Sequence, residues 1–365
     1  MSHFLILTAD YPNNEGGLNL AYVRTRNVFY KEHNIKITVL NFTTKKNYII
    51  DGIEVISYEW FKIHSEPLKY DIVICHAPNL RNHYKFLKKY GDEFEKIVFF
   101  YHGHEVLKIN KVYSKPYNYV KRNYILEHLQ NIYDEIKFRV WRSFIKRNHQ
   151  KLYHIFVSQW MKNEFLKWIK PEPKYIEGRN FITYNCVGEV FEKDTFDYNS
   201  KKDYDFVTIR ANLDGSKYCV DVVNNLAKLH PEYKFLLIGQ GDFFSHYEKA
   251  SNLDWINSRL QHDEMIKILN SAHCALMPTR TDAQGVMMCE MAAFGMPVIT
   301  SDIPVCHEIF KDEPNIGYIN NNLNPDTLVE EYNRVRDVHY KSDKYFMKNT
   351  GEKELNILTK IMSTL

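Results

Sequence analysis

Two carboxylates, Asp282 and Glu290, are separated by seven residues in Thr279-Arg-Thr-Asp-Ala-Gln-Gly-Val-Met-Met-Cys-Glu-Met-Ala-Ala-Phe-Gly-Met-Pro-Val-Ile-Thr-Ser301. Gly285 to Phe294 reads as a helix, with Gly295 at the left-handed cap position and Pro297 barring continuation. It is apolar nearly all round, from Val286, Met287, Met288 and Cys289 to Phe294, which marks a buried helix. Glu290 in its middle is costly unless something donates to it. A ligand diol is one such donor; a buried Arg or Lys is the other. Asp282 and Gly285 precede or open the first turn, where free backbone N–H groups make a diphosphate site. Asp282 is then either a contact to a ligand hydroxyl or an N-cap. Together these residues form a phosphate-and-diol grip of the kind a nucleotide sugar requires.

Other candidates lie upstream. Arg210 and Lys217 flank a loop after an apolar run. Two fixed cations there would stabilise the charge gathering on a departing diphosphate, or else are surface cations of a loop. Asp71-Ile-Val-Ile-Cys-His76 and Phe99-Phe-Tyr-His-Gly-His-Glu105 place His76, His102 and His104 at the carboxyl ends of two strands, where an open α/β sheet binds ligands. Their convergence would serve a ligand. His-x-His is too slight a pattern to predict a metal, and none is expected. Gly16 and Gly17 follow the first strand and would let backbone approach a phosphate or acceptor.

The elements that must position these groups alternate. His3–Ala9, a Gly-bearing loop, a helix over 18–33 and a strand over 35–42 make one βαβ unit. Strands follow at 53–58, 71–76, 96–101 and 154–158, with helices at about 60–68, 79–90 and 159–169. The alternation restarts beyond a polar linker at 193–203: strands at 205–210, 233–238, 253–257, 274–277 and 298–300, with helices at 218–229, 262–271 and 325–336. A last helix occupies 352–365. The boundary is expected near 190, giving a first domain over 1–189 and a second over 190–349. Between Lys121 and Lys151, eight basic residues (121, 122, 137, 139, 142, 146, 147, 151) face three acids (Glu127, Asp134, Glu135). Interleaved with Tyr133, Ile136, Phe138, Val140, Trp141, Phe144 and Ile145, they form a basic amphipathic segment. It suits either an anionic membrane surface or packing on the sheet.

The acidic-x7-acidic pair followed by Met-Ala-Ala-Phe-Gly-Met-Pro-Val-Ile-Thr-Ser resembles the signature of the retaining glycosyltransferases of family 4. The family usually has Glu first and then Gly-Phe-Gly; here Asp282 replaces Glu, Ala283-Gln284 replace Gly-Phe, and Gly285 keeps the last glycine's place. Arg210 and Lys217 resemble the family's Gly-Arg…Lys-Gly diphosphate pair, with Ile209 and Tyr218 in place of its glycines. Phe181-Ile-Thr-Tyr-Asn-Cys-Val-Gly-Glu-Val-Phe191 resembles its interdomain stretch, and Glu308 the Glu after its signature. The resemblance implies an α/β fold of GT-B type, two Rossmann-like domains with parallel sheets facing across a cleft. It also implies a final helix at about 350–365 crossing back to the first domain. It implies transfer of a sugar, with retention, from a UDP- or GDP-linked donor to a saccharide or lipid-linked glycan, as in bacterial surface polysaccharide synthesis. His102 would lie beside the donor sugar. Gly16, Gly17, Arg210, Lys217, Asp282, Gly285, Val286, Met287 and Glu290 would hold the donor, and no metal or other cofactor is implied. A leaving-phosphate oxygen would take the acceptor proton.

Composition bounds these readings. The 365 residues suit two domains; 44% hydrophobic and 25% charged content is globular. A net charge of +3 does not argue for nucleic acid. No apolar run reaches the roughly 18 residues of a membrane span, and the first residues look like a strand rather than a leader. Six dispersed cysteines (75, 186, 219, 274, 289, 306) show no disulfide or metal pattern, which fits a cytoplasmic protein. Two alternatives stay open: a degenerate GT-B subunit that binds or scaffolds a partner, and a nucleotide-sugar epimerase of the same fold.

Overall fold

The computed structural model describes residues 2–13, 20–64, 69–260, 262–322 and 324–364. The predicted Gly16–Gly17 loop lies outside them. The chain divides into two compact units: Met1–Lys108 with Ile132–Asn185 and Met347–Leu365, and Ile109–Asn131 with Cys186–Phe346.

The first unit is built on β1 (His3–Thr8), β2 (Lys36–Asn41), β3 (Tyr48–Ile50), β4 (Ile53–Ser57), β5 (Ile72–His76), β6 (Ile97–Tyr101), β7 (Leu152–Phe156) and β8 (Asn180–Ile182). Their order in the sheet is β3-β4-β2-β1-β5-β6-β7-β8. All neighbours are parallel except the edge pair β3–β4. The inner strands read as continuous apolar runs, Phe4-Leu-Ile-Leu7 or Ile97-Val-Phe-Phe100, and those residues are buried, as in parallel sheets covered on both faces. Direction of chain growth reverses between β1 and β5, a topological switch point.

The second unit repeats the plan with β9 (Tyr204–Asn212), β10 (Phe235–Gln240), β11 (Leu253–Ile256), β12 (Ala272–Leu276), β13 (Val298–Ser301) and β14 (Ile316–Ile319). Their order is β11-β10-β9-β12-β13-β14, wholly parallel, with the switch point between β9 and β12. The strands β3 and β14 were not expected from the sequence.

Three local expectations are revised. Ser158 does not end a strand: its hydroxyl caps the helix Gln159–Ile169 by accepting from Met161 N–H at 3.0 Å. The final helix begins earlier than expected, at Met347, and runs to Ser363. It packs in the first unit, where Glu354 is buried against Arg26 at 3.0 Å and accepts from Tyr30. The basic segment becomes one helix, Tyr124–Asn148, preceded by a loop that packs into the second unit's core through Tyr117. Its charges are not uniformly solvated. Lys137 is buried, pairs with Asp134 at 2.8 Å and donates to the carbonyls of His104 and Leu107; Arg142 donates to Ile169 O at 2.6 Å. Lys137 therefore anchors the loop after β6 and cannot face a lipid. No helix of the described residues is long and apolar enough to cross a membrane.

Candidate functional site

In the second unit, the helix predicted around Glu290 spans Val286–Phe294. Gly285 is its N-cap, in the left-handed region at φ 73°, and Gly295 ends it at φ 90°. No side chain caps the first turn. Asp282 is thus not the N-cap: its carboxylate turns back on its own loop, accepting from Ala283 N–H at 2.8 Å and Gln284 N–H at 3.4 Å.

That uncapped end forms one wall of a cavity of about 340 Å³, through Gly285, Val286, Met287 and Met288. Arg210, Tyr218, Arg259 and Asp282 supply its polar groups; Ile209, Ile238, Leu260 and Met265 supply an apolar wall. Arg210 stands near the end of β9 and Asp282 in the loop after β12, so the cavity opens where the sheet's switch point predicts a ligand. Arg210 is buried, donates to Pro278 O at 2.6 Å and lies 5.4 Å from the Tyr218 ring. Its Nε has no partner among the described residues, and burial lowers the guanidinium pKa from its usual value. A buried cation with an unspent donor beside free helix amides has the chemistry to take an anion. The apolar wall suits a planar base.

Glu290 does not line the cavity. It is one turn beyond Val286 and Met287, on their face of the helix, and accepts from Gly188 N–H at 3.2 Å. Among the described residues it forms no ion pair, which removes the reading of a buried Arg or Lys partner. Burial pushes its carboxyl up to about 7, with the Gly188 bond acting against that rise. Lys217 is also off the wall: its ammonium lies 4.7 Å from the Tyr218 ring and 5.5 Å from that of Tyr113. The loop carrying Lys217 is held by groups that sequence reasoning missed. Ser114 bonds Ser216 at 2.7 Å, Tyr117 donates to Asp221 at 2.9 Å, and Tyr119 donates to Asp214 at 2.6 Å. Arg280 closes the set with a bidentate pair to Asp221 at 2.6 and 3.0 Å. Nothing local distinguishes these tyrosines among the chain's 26.

In the first unit, two of the three histidines meet. His76 Nδ1 and His102 Nε2 are 3.0 Å apart; Phe100 stacks on both rings, and Tyr22 packs tilted against that of His102. His104 is exposed and stands outside this pair. Burial and the neighbouring Arg26 hold both ring pKa values well below the usual histidine value. Both are neutral at physiological pH. One ring nitrogen then donates to the other, so of the two outer atoms one is a donor and one an acceptor. Those atoms, His76 Nε2 and His102 Nδ1, have no partner among the described residues. Glu105 fixes the loop by accepting from the N–H groups of His102 and Gly103. The sequence His-Gly-His-Glu offered that clue. Among the described residues no three His, Cys, Asp or Glu side chains are grouped to hold a metal ion.

Comparisons with known proteins agree with the two-unit α/β fold. Residues 190–352 match the family model described as Glycosyl transferases group 1. An uncharacterized glycosyltransferase of Methanocaldococcus jannaschii, MJ1178, is 25% identical over 203 residues, 54% of this chain and 53% of that protein. The O-antigen biosynthesis glycosyltransferase WclY of Escherichia coli is 30% identical over 129 residues, 33% of this chain and 34% of that one. The chain spans about half the length of the first of these curated relatives and a third of the second. Among solved structures, Anabaena Alr3699/HepE in complex with UDP and glucose is similar at a TM-score of 0.64 and 10% identity, over 99% of this chain and 100% of that one. The fold is GT-B, with two Rossmann-like domains, and the second carries the glycosyltransferase group 1 match.

Proposed function

We propose that the protein is a retaining glycosyltransferase that moves a sugar from a UDP- or GDP-linked donor to a saccharide or lipid-linked glycan acceptor. The cavity of the second unit carries this reading: a buried Arg210 with an unspent donor and the uncapped helix at Gly285 share one wall. Arg210 and the amides of Val286 and Met287 take the diphosphate, and the Ile209–Ile238 wall takes the base. Glu290 accepts from the ribose hydroxyls, and Asp282 from the donor sugar. Lys217 adds positive charge at the loop. As the sugar–phosphate bond breaks, negative charge collects on the diphosphate, and these fixed donors stabilise it without reorganising. The leaving phosphate oxygen accepts the acceptor proton. In the first unit, the neutral His102 keeps an outer ring nitrogen for a substrate hydroxyl, and His76 sets whether that nitrogen donates or accepts. The likeness to WclY over a third of the chain supports a place in bacterial surface polysaccharide synthesis, and six free, buried cysteines suit a cytoplasmic setting.

Incubation with UDP- and GDP-linked sugars tests the reading, with released nucleoside diphosphate measured by chromatography and the product anomer by NMR. Release from one donor with retained configuration is expected. Nucleotide binding without release would leave the scaffold alternative, and conversion of the donor to its epimer would establish the other.

A further inference from the structure

Thirteen large apolar side chains are exposed among the described residues, and seven of them lie between Tyr124 and Ile136: Tyr124, Ile125, Leu126, Leu129, Ile132, Tyr133 and Ile136. Scattered singly, exposed apolar groups need no explanation. All but Tyr124 recur at helical spacing on one continuous helix, Tyr124–Asn148, and form a stripe along a single face. Ile125 is 72% exposed and Leu129 53%.

We propose that this stripe inserts into the headgroup region of an anionic lipid surface, with the helix lying on the membrane. Charge decides for lipid. The segment's three acids are each neutralised: Glu127 by Arg122 at 2.7 Å, Asp134 by Lys137 at 2.8 Å and Glu135 by Lys108 at 2.6 Å. The exposed cations Arg139, Lys146 and Arg147 border the stripe, with Arg139 and Lys146 along one edge and Arg147 continuing its line, and exposed Lys121 precedes the helix. An apolar face bordered by Lys and Arg, with an exposed Tyr133 on it, is the chemistry of an interfacial helix. Contact through basic side chains alone gives way to an apolar anchor with a charged border, from which Lys137 is excluded. Lipid binding through this face does not depend on which sugar is moved.

The full-length protein is sedimented with phosphatidylglycerol–phosphatidylcholine vesicles and with phosphatidylcholine alone. Binding only to the anionic vesicles is expected. Changing Ile125, Leu129, Ile132 and Ile136 together to Ser should weaken it roughly tenfold or more at low salt. Changing Arg139, Lys146 and Arg147 to Gln should instead remove its salt sensitivity. Because the six native cysteines are buried, Leu129→Cys can carry a polarity-sensitive fluorophore; its emission should shift to the blue on anionic vesicles, whereas that at Lys228→Cys should not. Nucleoside diphosphate affinity should match the parent protein in every variant, which separates failure here from failure of the donor site. No vesicle binding, equal binding by the Ser variant, or a dimer dissolved by the same substitutions with no lipid uptake would each overturn the proposal.

Discussion

Burial in the fold shifts the ionisation of Glu290. It is an ordinary carboxylate raised to about 7 by desolvation, so the empty site holds a proton through part of the physiological range. A ribose diol needs the ionised form as acceptor. Nucleoside diphosphate affinity should therefore rise from pH 6 to pH 8 and level off, whereas Glu290→Gln should be flat and Glu290→Ala weaker by about 1–3 kcal/mol; calorimetric titration would show it. Stability carries the opposite sign. The folded pKa exceeds the ordinary 4.5, so this contribution is complete below about 4.5 and lost as pH rises through about 7. Relative to Glu290→Gln, the ligand-free protein should lose on the order of 3 kcal/mol across that window, measured by denaturant unfolding. Arg210 and Lys217 separate at the same scale. Arg210 faces the cavity and Lys217 lies against tyrosine rings, so Arg210→Ala should lower turnover roughly a hundredfold and Lys217→Ala by less. Equal losses in steady-state assays would place the ammonium on the diphosphate after all.

At the scale of elements, the cavity depends on how closely β10 approaches β9. Gly239 has φ 153°, and a Cβ there would overlap the carbonyl oxygen of Arg210 and crowd Leu213. Gly239→Ala should cost about 1–3 kcal/mol in strain and also displace Arg210. A lowered thermal midpoint together with weaker nucleotide binding is the expected pair of observations; a midpoint unchanged from the parent protein would show that the strands separate freely. The helix Val286–Phe294 was legible because its signals are local: apolar residues all round, Gly285 and Gly295 at its ends, Pro297 beyond. The long helix Tyr124–Asn148 was legible as amphipathic, yet not in which face is buried. Periodicity gives a stripe, but whether a protein core or solvent meets it is set by residues distant in the chain.

At the scale of the molecule, the last helix belongs to the first unit. Arg26 joins Glu354 to Asn185 Oδ1, which it reaches at 2.9 Å, and Thr183 adds a bond to Glu354 at 3.5 Å. Breaking a buried pair leaves an uncompensated charge. Glu354→Ala should therefore cost about 3–5 kcal/mol, whereas Arg26→Met with Glu354→Leu should cost much less. Thermal unfolding of the two variants tests the difference.

What the sequence by itself determined was whatever rests on neighbours in the chain: the strand and helix order, the resemblance at 282–301, the positions of Arg210 and Asp282, and the buried setting of Glu290. Tertiary structure decided the pairings. It joined His76 to His102 and left His104 exposed. It buried Lys137 beneath two loop carbonyls, set Lys217 against aromatic rings, and placed 109–131 with the second unit, where Tyr117 and Tyr119 hold the loop beside the cavity. Each of these is a contact between residues far apart in sequence. Their energies come from desolvation and hydrogen-bond geometry, which exist only once the chain has brought the partners together.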